Sequence, residues 1–539
     1  MSCLIAAPSS GSGKTLVSLS LVALARQRGA RVQTFKVGPD YLDPQLLSAV
    51  AGRDCRNLDP LLCGDDWVRR AFHWHASQAD AVLVEGVMGL FDGRGPTAEG
   101  SSAQVADLLG LPVVLVVEAS RQAGSVAALV RGFRDHGPPK VILAGVVLNR
   151  VGSPRHRALL EASLASLGVP VLGVLPPHPA LELPSRHLGL LPPHELADLR
   201  ARTEQWAHLA QTHLAIDRLW PLLAAAPAPA GQTDPIRAVL TRARLEWTNA
   251  ASVNGAGAMV GSAEPFGSTE PFASAEPFAS AEPVDCAEPV ASRETEDGTG
   301  GEPPRARAVV IARDAAFHFL YPEVRECLEA LGLPVRFWSP LADDPLPEDC
   351  AAVVLPGGYP ELHAAALADA ARSRVSLARA SRRGVPIVAE CGGLLLLGQR
   401  LVDPAGVAWP MAGVLPFEAR PGSLRLGYRL AQGQRDGLLV RAGEPWRGHE
   451  FHRWQLHPGS PDAPGPSLWQ LEGWGVERTL EGWTTPSLHA SWLHIHWAGF
   501  PKIPLRLAAA IEAVAKPPRN GASWRLTSPL QLPTPSVGA

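Results

Sequence analysis

Residues Ala7–Thr15 read Ala-Pro-Ser-Ser-Gly-Ser-Gly-Lys-Thr, directly after a short apolar run and directly before a helical pattern. Gly11 and Gly13, with Ser12 between them, let the backbone approach a phosphate. The N–H groups of a helix start then point at it, Lys14 adds a charge, and the Thr15 hydroxyl can hold Mg²⁺. A strict nucleotide loop would carry glycine where Pro8 stands, so this loop is a variant. A phosphate loop also needs acidic residues at neighbouring strand ends. Asp40 and Asp43 lie in Phe35–Pro44 (FKVGPDYLDP), and Glu85 ends an apolar run before GVMGLFDG. These three carboxylates are expected to hold Mg²⁺ and to orient a carboxylate substrate beside the γ-phosphate. Aspartate also suits turns, which leaves a turn-forming role open for Asp40 and Asp43. Asn149 ends a further apolar run, where its amide could read a purine edge or merely cap a loop.

A second constellation lies in the C-terminal half. Val385–Leu397 reads VPIVAECGGLLLL, an apolar strand, a Glu-Cys-Gly-Gly turn and an apolar helix. Such an elbow exposes one strained tip residue, here Cys391, and a helix N-terminus there should favour its thiolate. Gly357 and Gly358 follow another apolar run and could donate N–H groups to an oxyanion. His494 and His496 stand two apart on an apparent strand, so they should face one side. One could serve as general base and the other as its orienter or a substrate contact.

Elements must hold these groups in place. Short apolar runs at Leu4–Ala7, Val32–Val37, Ala81–Glu85, Val113–Val117 and Val141–Leu148 alternate with helical stretches, the pattern of a parallel sheet covered on both faces. The pattern restarts at Ala308–Ala312 and continues through Val335–Trp338, Ala352–Leu355 and Pro386–Ala389. Both halves are therefore α/β. The predicted organisation is an ATP-binding domain over 1–223, a low-complexity linker over 224–307, a second α/β domain over 308–516 and an unstructured tail over 517–539. Inside the linker, Gly261–Val290 repeats a hexapeptide five times, each copy with one Glu-Pro pair, which suits a disordered tether rather than a β-helix.

A chain of 539 residues exceeds one core, and 46% hydrophobic with 19% charged residues is a globular balance. A net charge of −3 offers no basic field for nucleic acid. No apolar run approaches the ~20 residues that span a bilayer, and no signal segment opens the chain, so a cytoplasmic protein with no membrane partner is expected. Seven cysteines without CxxC spacing argue against both a disulfide framework and a zinc site.

Taken together the motifs resemble the cobyrinic acid a,c-diamide synthase family, glutamine-dependent enzymes of the corrinoid pathway. The stretches that carry the resemblance are APSSGSGKT, FKVGPDYLDP, VEGVMGLFDG, GVVLNRVGS, LPSRHLGL, ARDAAFHFLYPE, LPGGYPELHA, AECGGLLLLG, GHEFHRW and LHASWLHIHWAG. They span nearly all of both halves in the family's order. The departures are Glu118 where the family usually has aspartate, an unusual histidine at 318, and the long hexapeptide linker, which reads as an insertion.

The resemblance implies a dethiobiotin-synthetase-like P-loop domain and a class I glutamine amidotransferase domain. It also implies cobyrinic acid, L-glutamine and ATP as partners, Mg²⁺ as cofactor, and leaves a homodimer open. Lys14 and Thr15 would bind phosphate and Mg²⁺. Asp40 and Asp43 would act on the substrate carboxylate, with Asp40 near the metal and Tyr41 and Leu42 beside the substrate. Glu85 would take the metal. The family's base falls on His494, which activates Cys391, while His496 stands where many amidotransferases place a glutamate. Rival readings are a related amidase acting on hydrogenobyrinic acid or another tetrapyrrole and, from another class, a partitioning-type ATPase. The last leaves Cys391, Gly357–Gly358 and His494 without a task.

Overall fold

The computed structural model describes residues 2–177, 185–186, 189–196, 198–225, 231–254, 307–460 and 465–515. In the N-terminal half, seven strands form one all-parallel sheet: β1 (Cys3–Ala6), β2 (Val32–Val37), β3 (Arg56–Leu58), β4 (Ala81–Glu85), β5 (Val113–Glu118), β6 (Leu143–Asn149) and β7 (Val171–Val174). Their order is β3-β2-β4-β1-β5-β6-β7. The strands are buried along nearly their whole lengths, as expected of apolar runs covered on both faces. The helices that matter for the site are α1 (Lys14–Gln27), α2 (Leu42–Ala51) and α3 (Pro60–Cys63). The phosphate loop joins β1 to α1, so it emerges between the ends of β4 and β5, at the switch point of the sheet.

Register brings the chemistry together. Lys36 of β2 pairs with Glu85 of β4, and Ile5 of β1 pairs with the same Glu85. The acid therefore stands between the lysine-bearing strand and the strand that launches the phosphate loop.

The C-terminal half is built on a second sheet. Counting after a small hairpin, β8 (Ser185–Arg186) and β9 (Gly189–Leu190), it comprises β10 (Val309–Ala312), β11 (Val335–Trp338), β12 (Ala352–Leu355), β13 (Ile387–Glu390), and two later strands, Trp483–Thr485 and Leu488–Ser491. The last of these runs parallel to β13, with Glu390 opposite Ser491. The carboxyl ends of these two neighbours thus lie side by side, which sets the cysteine elbow next to the histidine segment. A third, mostly antiparallel sheet carries a long ribbon, Phe417–Gly433 against Pro445–Pro458, and a hairpin of Trp469–Gly473 and Val476–Glu481.

The expected linker needs revision at its start. The segment expected as linker from 224 contains a helix, Pro235–Asn254, whose first half is ordered by burial of Ile236, Leu240 and Ala243 in the core shared with the C-terminal sheet. Asp234 starts it, its carboxylate accepting the N–H groups of Ile236 and Arg237. That core also contains Tyr41, Leu42 and Trp67 of the N-terminal half, so the described residues up to 243 and from 307 to 515 form one compact unit. The hexapeptide repeat and the tail after 515 lie outside the described residues. No described helix is long and apolar enough to cross a membrane.

Candidate active site

The phosphate loop has the backbone its glycines predict, with φ of +78° at Gly11 and +104° at Gly13. Lys14 donates to Met88 O at 2.6 Å, and Thr15 Oγ1 donates to Glu85 Oε1 at 2.8 Å. Burial, then the nearby charge of Lys36, lowers the Lys14 ammonium to a pKa of about 8. Asn149 is drawn to the phosphate loop. Its Nδ2 donates to Ser12 O at 2.9 Å, and a methyl group on Gly13 would collide with that amide. The end of β6 is thereby tied to the loop.

The three carboxylates do converge, but on a residue that sequence reasoning passed over. Lys36 Nζ lies 2.5 Å from Asp43, 2.8 Å from Glu85 and 3.7 Å from Asp40. The expected cage of three carboxylates around a metal is thus filled by an ammonium, and among the described residues no cluster of three acidic, histidine or cysteine side chains could hold a metal ion. The signal was present: a lysine in the middle of VQTFKV, an otherwise central, fully buried strand. Such a lysine must be paired, because an isolated buried charge is too costly.

The charges in this cluster divide the work. Burial works against the Asp43 carboxylate, yet the Lys36 charge and hydrogen bond hold it below the usual range. Burial and the neighbouring Asp43 raise Asp40 to about 7. Burial also raises Glu85, against the pull of Lys36. Asp40 additionally caps α2, its Oδ1 accepting the N–H groups of Leu42 and Asp43 at 2.9 and 3.1 Å, so it does have the turn-forming role. Leu42, expected beside the substrate, has that N–H engaged and its side chain in the core. Glu85 Oε2 is buried without a partner, while Thr15 and Lys36 both donate to Oε1. An orphaned carboxylate oxygen beside a threonine hydroxyl fits Mg²⁺, which takes one or two carboxylates plus phosphate oxygens and water rather than a cage.

In the second centre the elbow forms as expected. Cys391 has φ +47° and ψ −107° and caps the short helix Gly392–Leu397. Both following glycines are required by close approach: a methyl on Gly392 would lie 2.8 Å from Gly358 N, and one on Gly393 would collide with Leu355 O. The loop Gly357–Gly358 is thereby pressed against the elbow. The thiol state differs from expectation. Burial, aided by the carboxylates of Glu361, Glu390 and Glu450, pushes the Cys391 thiol far above its ordinary value. A six-residue helix does not outweigh that desolvation, so the thiol stays protonated at neutral pH and needs a base in the reaction.

His494 stands beside Glu390, the residue before the elbow cysteine. It is buried, its Nδ1 lies 3.8 Å from Glu390 Oε2, and a methyl on Gly357 would sit 2.5 Å from its Cε1. Reciprocal backbone hydrogen bonds with His449 fix the segment. His496 does not share this face. The strand ends at Ser491, so alternation no longer applies, and His496 Nε2 lies 3.5 Å from Glu323. Glu323 in turn pairs with Arg56 of the N-terminal half at 3.1 Å, and Arg56 also binds Glu326. His496 belongs to this seam between the halves.

Tyr41 joins the two centres. It follows Asp40 directly, yet its ring lies 4.9 Å from that of His494, stacks on Phe319 at 5.3 Å and meets Tyr321 at 4.6 Å. Gln45 binds His318 O at 3.0 Å, and Tyr428 donates to Asp59 at 3.0 Å. The unusual histidine at 318 is thus part of the same seam.

A phosphate-binding centre and a cysteine–histidine centre sharing one buried wall define a glutamine-dependent amidoligase, in which nitrogen freed at one centre is used at the other. Residues 3–191 match the CobQ/CobB/MinD/ParA nucleotide binding domain, and residues 308–502 match the CobB/CobQ-like glutamine amidotransferase domain. The chain is 39% identical over 502 residues to "Cobyrinate a,c-diamide synthase" of Gloeobacter violaceus, covering 92% of this chain and 94% of that protein. It is 41% identical over 508 residues to "Hydrogenobyrinate a,c-diamide synthase" of Streptomyces coelicolor, covering 93% and 96%. The chain belongs to the cobyrinate a,c-diamide synthase family.

Proposed function

We propose that this protein transfers the amide nitrogen of glutamine to the a and c acetate carboxylates of cobyrinic acid, using ATP. The observation that carries the reading is the contact of Tyr41 with His494, which ties the residue after Asp40 to the base of the cysteine centre. In the C-terminal half, Cys391 Sγ attacks the side-chain amide carbon of glutamine while His494 takes the thiol proton. His494 then gives that proton to the departing nitrogen, ammonia leaves, and water hydrolyses the glutamyl thioester. The N–H groups at Gly358 and Gly392 face the oxyanion that forms.

In the N-terminal half, the substrate carboxylate attacks the γ-phosphorus of ATP, ADP departs, and an acyl phosphate forms. Ammonia then displaces phosphate from it to give the amide. Lys14 would hold the phosphates, and Thr15 and Glu85 would hold Mg²⁺, which would supply neutralisation of phosphate charge. Lys36 keeps Asp43 ionised and Asp40 near its own midpoint, so that one acid of the pair can accept a proton from the attacking ammonia. Shielding by the seam protects the acyl phosphate from water.

The corrin acceptor can be the cobalt-containing or the metal-free ring, since relatives of both names align equally well. Competition between cobyrinic and hydrogenobyrinic acid for one enzyme pool separates the two. The two-centre scheme is tested with Cys391→Ala: glutamine-dependent amidation is lost and ammonium-dependent amidation persists. Loss of both would break the scheme.

A further inference from the structure

We propose that a second cleft, between the loop after Glu85 and the ribbon of the C-terminal half, holds the ring of a planar macrocycle bearing several carboxylates. This rests on the acceptor class given above and assigns the residues that would recognise it.

The cleft measures about 520 Å³, and its walls carry Arg94, Arg429, Arg447 and Arg478 against a single acid, Glu472. Arg429 is committed to Glu450 at 2.7 Å, while Arg94 pairs with Glu99 and Arg478 with Glu472 at the surface, where a ligand carboxylate can compete for them; Arg447 forms no ion pair among the described residues. Arginine forks suit carboxylates two oxygens at a time. Between the cations stands Trp474, 71% exposed at the tip of the hairpin Trp469–Gly473/Val476–Glu481. An indole so exposed on a folded surface is an unfilled contact for a flat apolar face. Leu426, Leu430 and Leu480 extend that apolar surface along the same sheet. A macrocycle with a hydrophobic face and an acidic rim matches both features at once.

The cleft also lies where the acceptor must be delivered. Trp474 is laid over Gly95, where a methyl group would come within 2.7 Å of the ring. Gly95 belongs to the loop that begins at Glu85 and places Met88 O on Lys14. Tyr428, on the strand beside that hairpin, donates to Asp59 at the end of β3, the neighbour of the strand that carries Lys36. A larger cleft of about 770 Å³ opens on Asp40, but its arginines 53, 313 and 325 are matched by Asp40, Asp54 and Asp314, with Arg325 and Asp54 3.7 Å apart. With three lining aspartates to three arginines, it presents a polyanion with a less positive lining than the first cleft, where four arginines face one lining acid.

The test uses the full-length enzyme with Arg447→Ala, Arg478→Ala and Trp474→Ala, and with Arg313→Ala in the larger cleft as a control. Each of the first two should raise KM for cobyrinic acid about tenfold, the factor that one charge-assisted hydrogen bond carries. KM for ATP and glutamine, and the glutaminase rate, should stay at wild-type values. Binding of the corrin should quench tryptophan fluorescence in the wild type and much less in Trp474→Ala. Unchanged KM in all three variants, or a rise confined to Arg313→Ala, overturns the assignment while leaving the amidase function intact. A wild-type protein that neither binds nor amidates cobyrinic acid overturns both.

Discussion

Replacing Lys36 by methionine keeps most of the side-chain volume and removes the charge at the centre of the acidic cluster. Lys36 is 2% exposed and Glu85 0%, so the variant leaves a fully buried carboxylate and the adjacent Asp43 without their shared cation. Breaking a buried ion pair from one side costs roughly 3–5 kcal/mol, which for a cooperative unit of this size lowers the unfolding temperature by about 4 °C. The pH dependence has a definite sign. Asp43 is held below its ordinary value of 3.8, so the stabilisation it draws from Lys36 is complete at neutral pH and is lost as pH falls through the acid range. The deficit of Lys36→Met therefore shrinks toward acid. A second change, Glu85→Gln, in the same background should recover part of the loss, because a neutral amide needs no counter-charge. The assay is urea or thermal unfolding of the four proteins of this cycle at pH 7 and in mild acid, with ammonium-dependent amidation measured alongside. Both Lys36→Met proteins should lack amidation. Wild-type unfolding of Lys36→Met, or strict additivity of the two changes, would refute the view that Lys36 balances these acids.

Glu361, buried beside the elbow with its carboxyl raised to about 7 by burial, is protonated below that pH and ionised above it. Its charge opposes the Cys391 thiolate, so Glu361→Gln should match wild type in thiol alkylation near pH 6. By pH 8.5 it should react about fivefold faster, the equivalent of ~1 kcal/mol; equal rates throughout would contradict this. Gly357→Ala would drive a methyl to 2.5 Å from His494 Cε1, and should suppress glutamine hydrolysis while sparing ammonium-dependent amidation. Full glutaminase activity in that variant would remove Gly357 from the base's seat.

The parts of the site written as contiguous motifs were legible in the sequence. Ala7–Thr15 and Glu390–Gly393 each encode a strand, a turn and a helix start within a dozen residues, so backbone and chemistry can be read together. What escaped was set by tertiary register. Lys36 meets Glu85 because β2 and β4 are neighbours with those residues paired, and Tyr41 meets His494 through the packing of two halves. The same limit separated the two histidines: strand alternation was assumed past Ser491, where the backbone instead bridges to His449. The helix at Pro235–Asn254 had a readable signal in Asp234-Pro235 and the spacing of Ile236, Leu240 and Ala243, but the surrounding alanine- and proline-rich composition masked it. Position alone did not reveal that Asn149 serves the phosphate loop; the bond to Ser12 does.

The central claim is that two centres in one compact unit move nitrogen from glutamine to a corrin carboxylate. Mass spectrometry of the product formed from cobyrinic acid, amide-labelled glutamine and MgATP tests it most directly. The account predicts a diamide in which two OH groups have been replaced by NH₂, both nitrogens carrying the glutamine label. Unchanged cobyrinic acid alongside hydrolysed glutamine would contradict it.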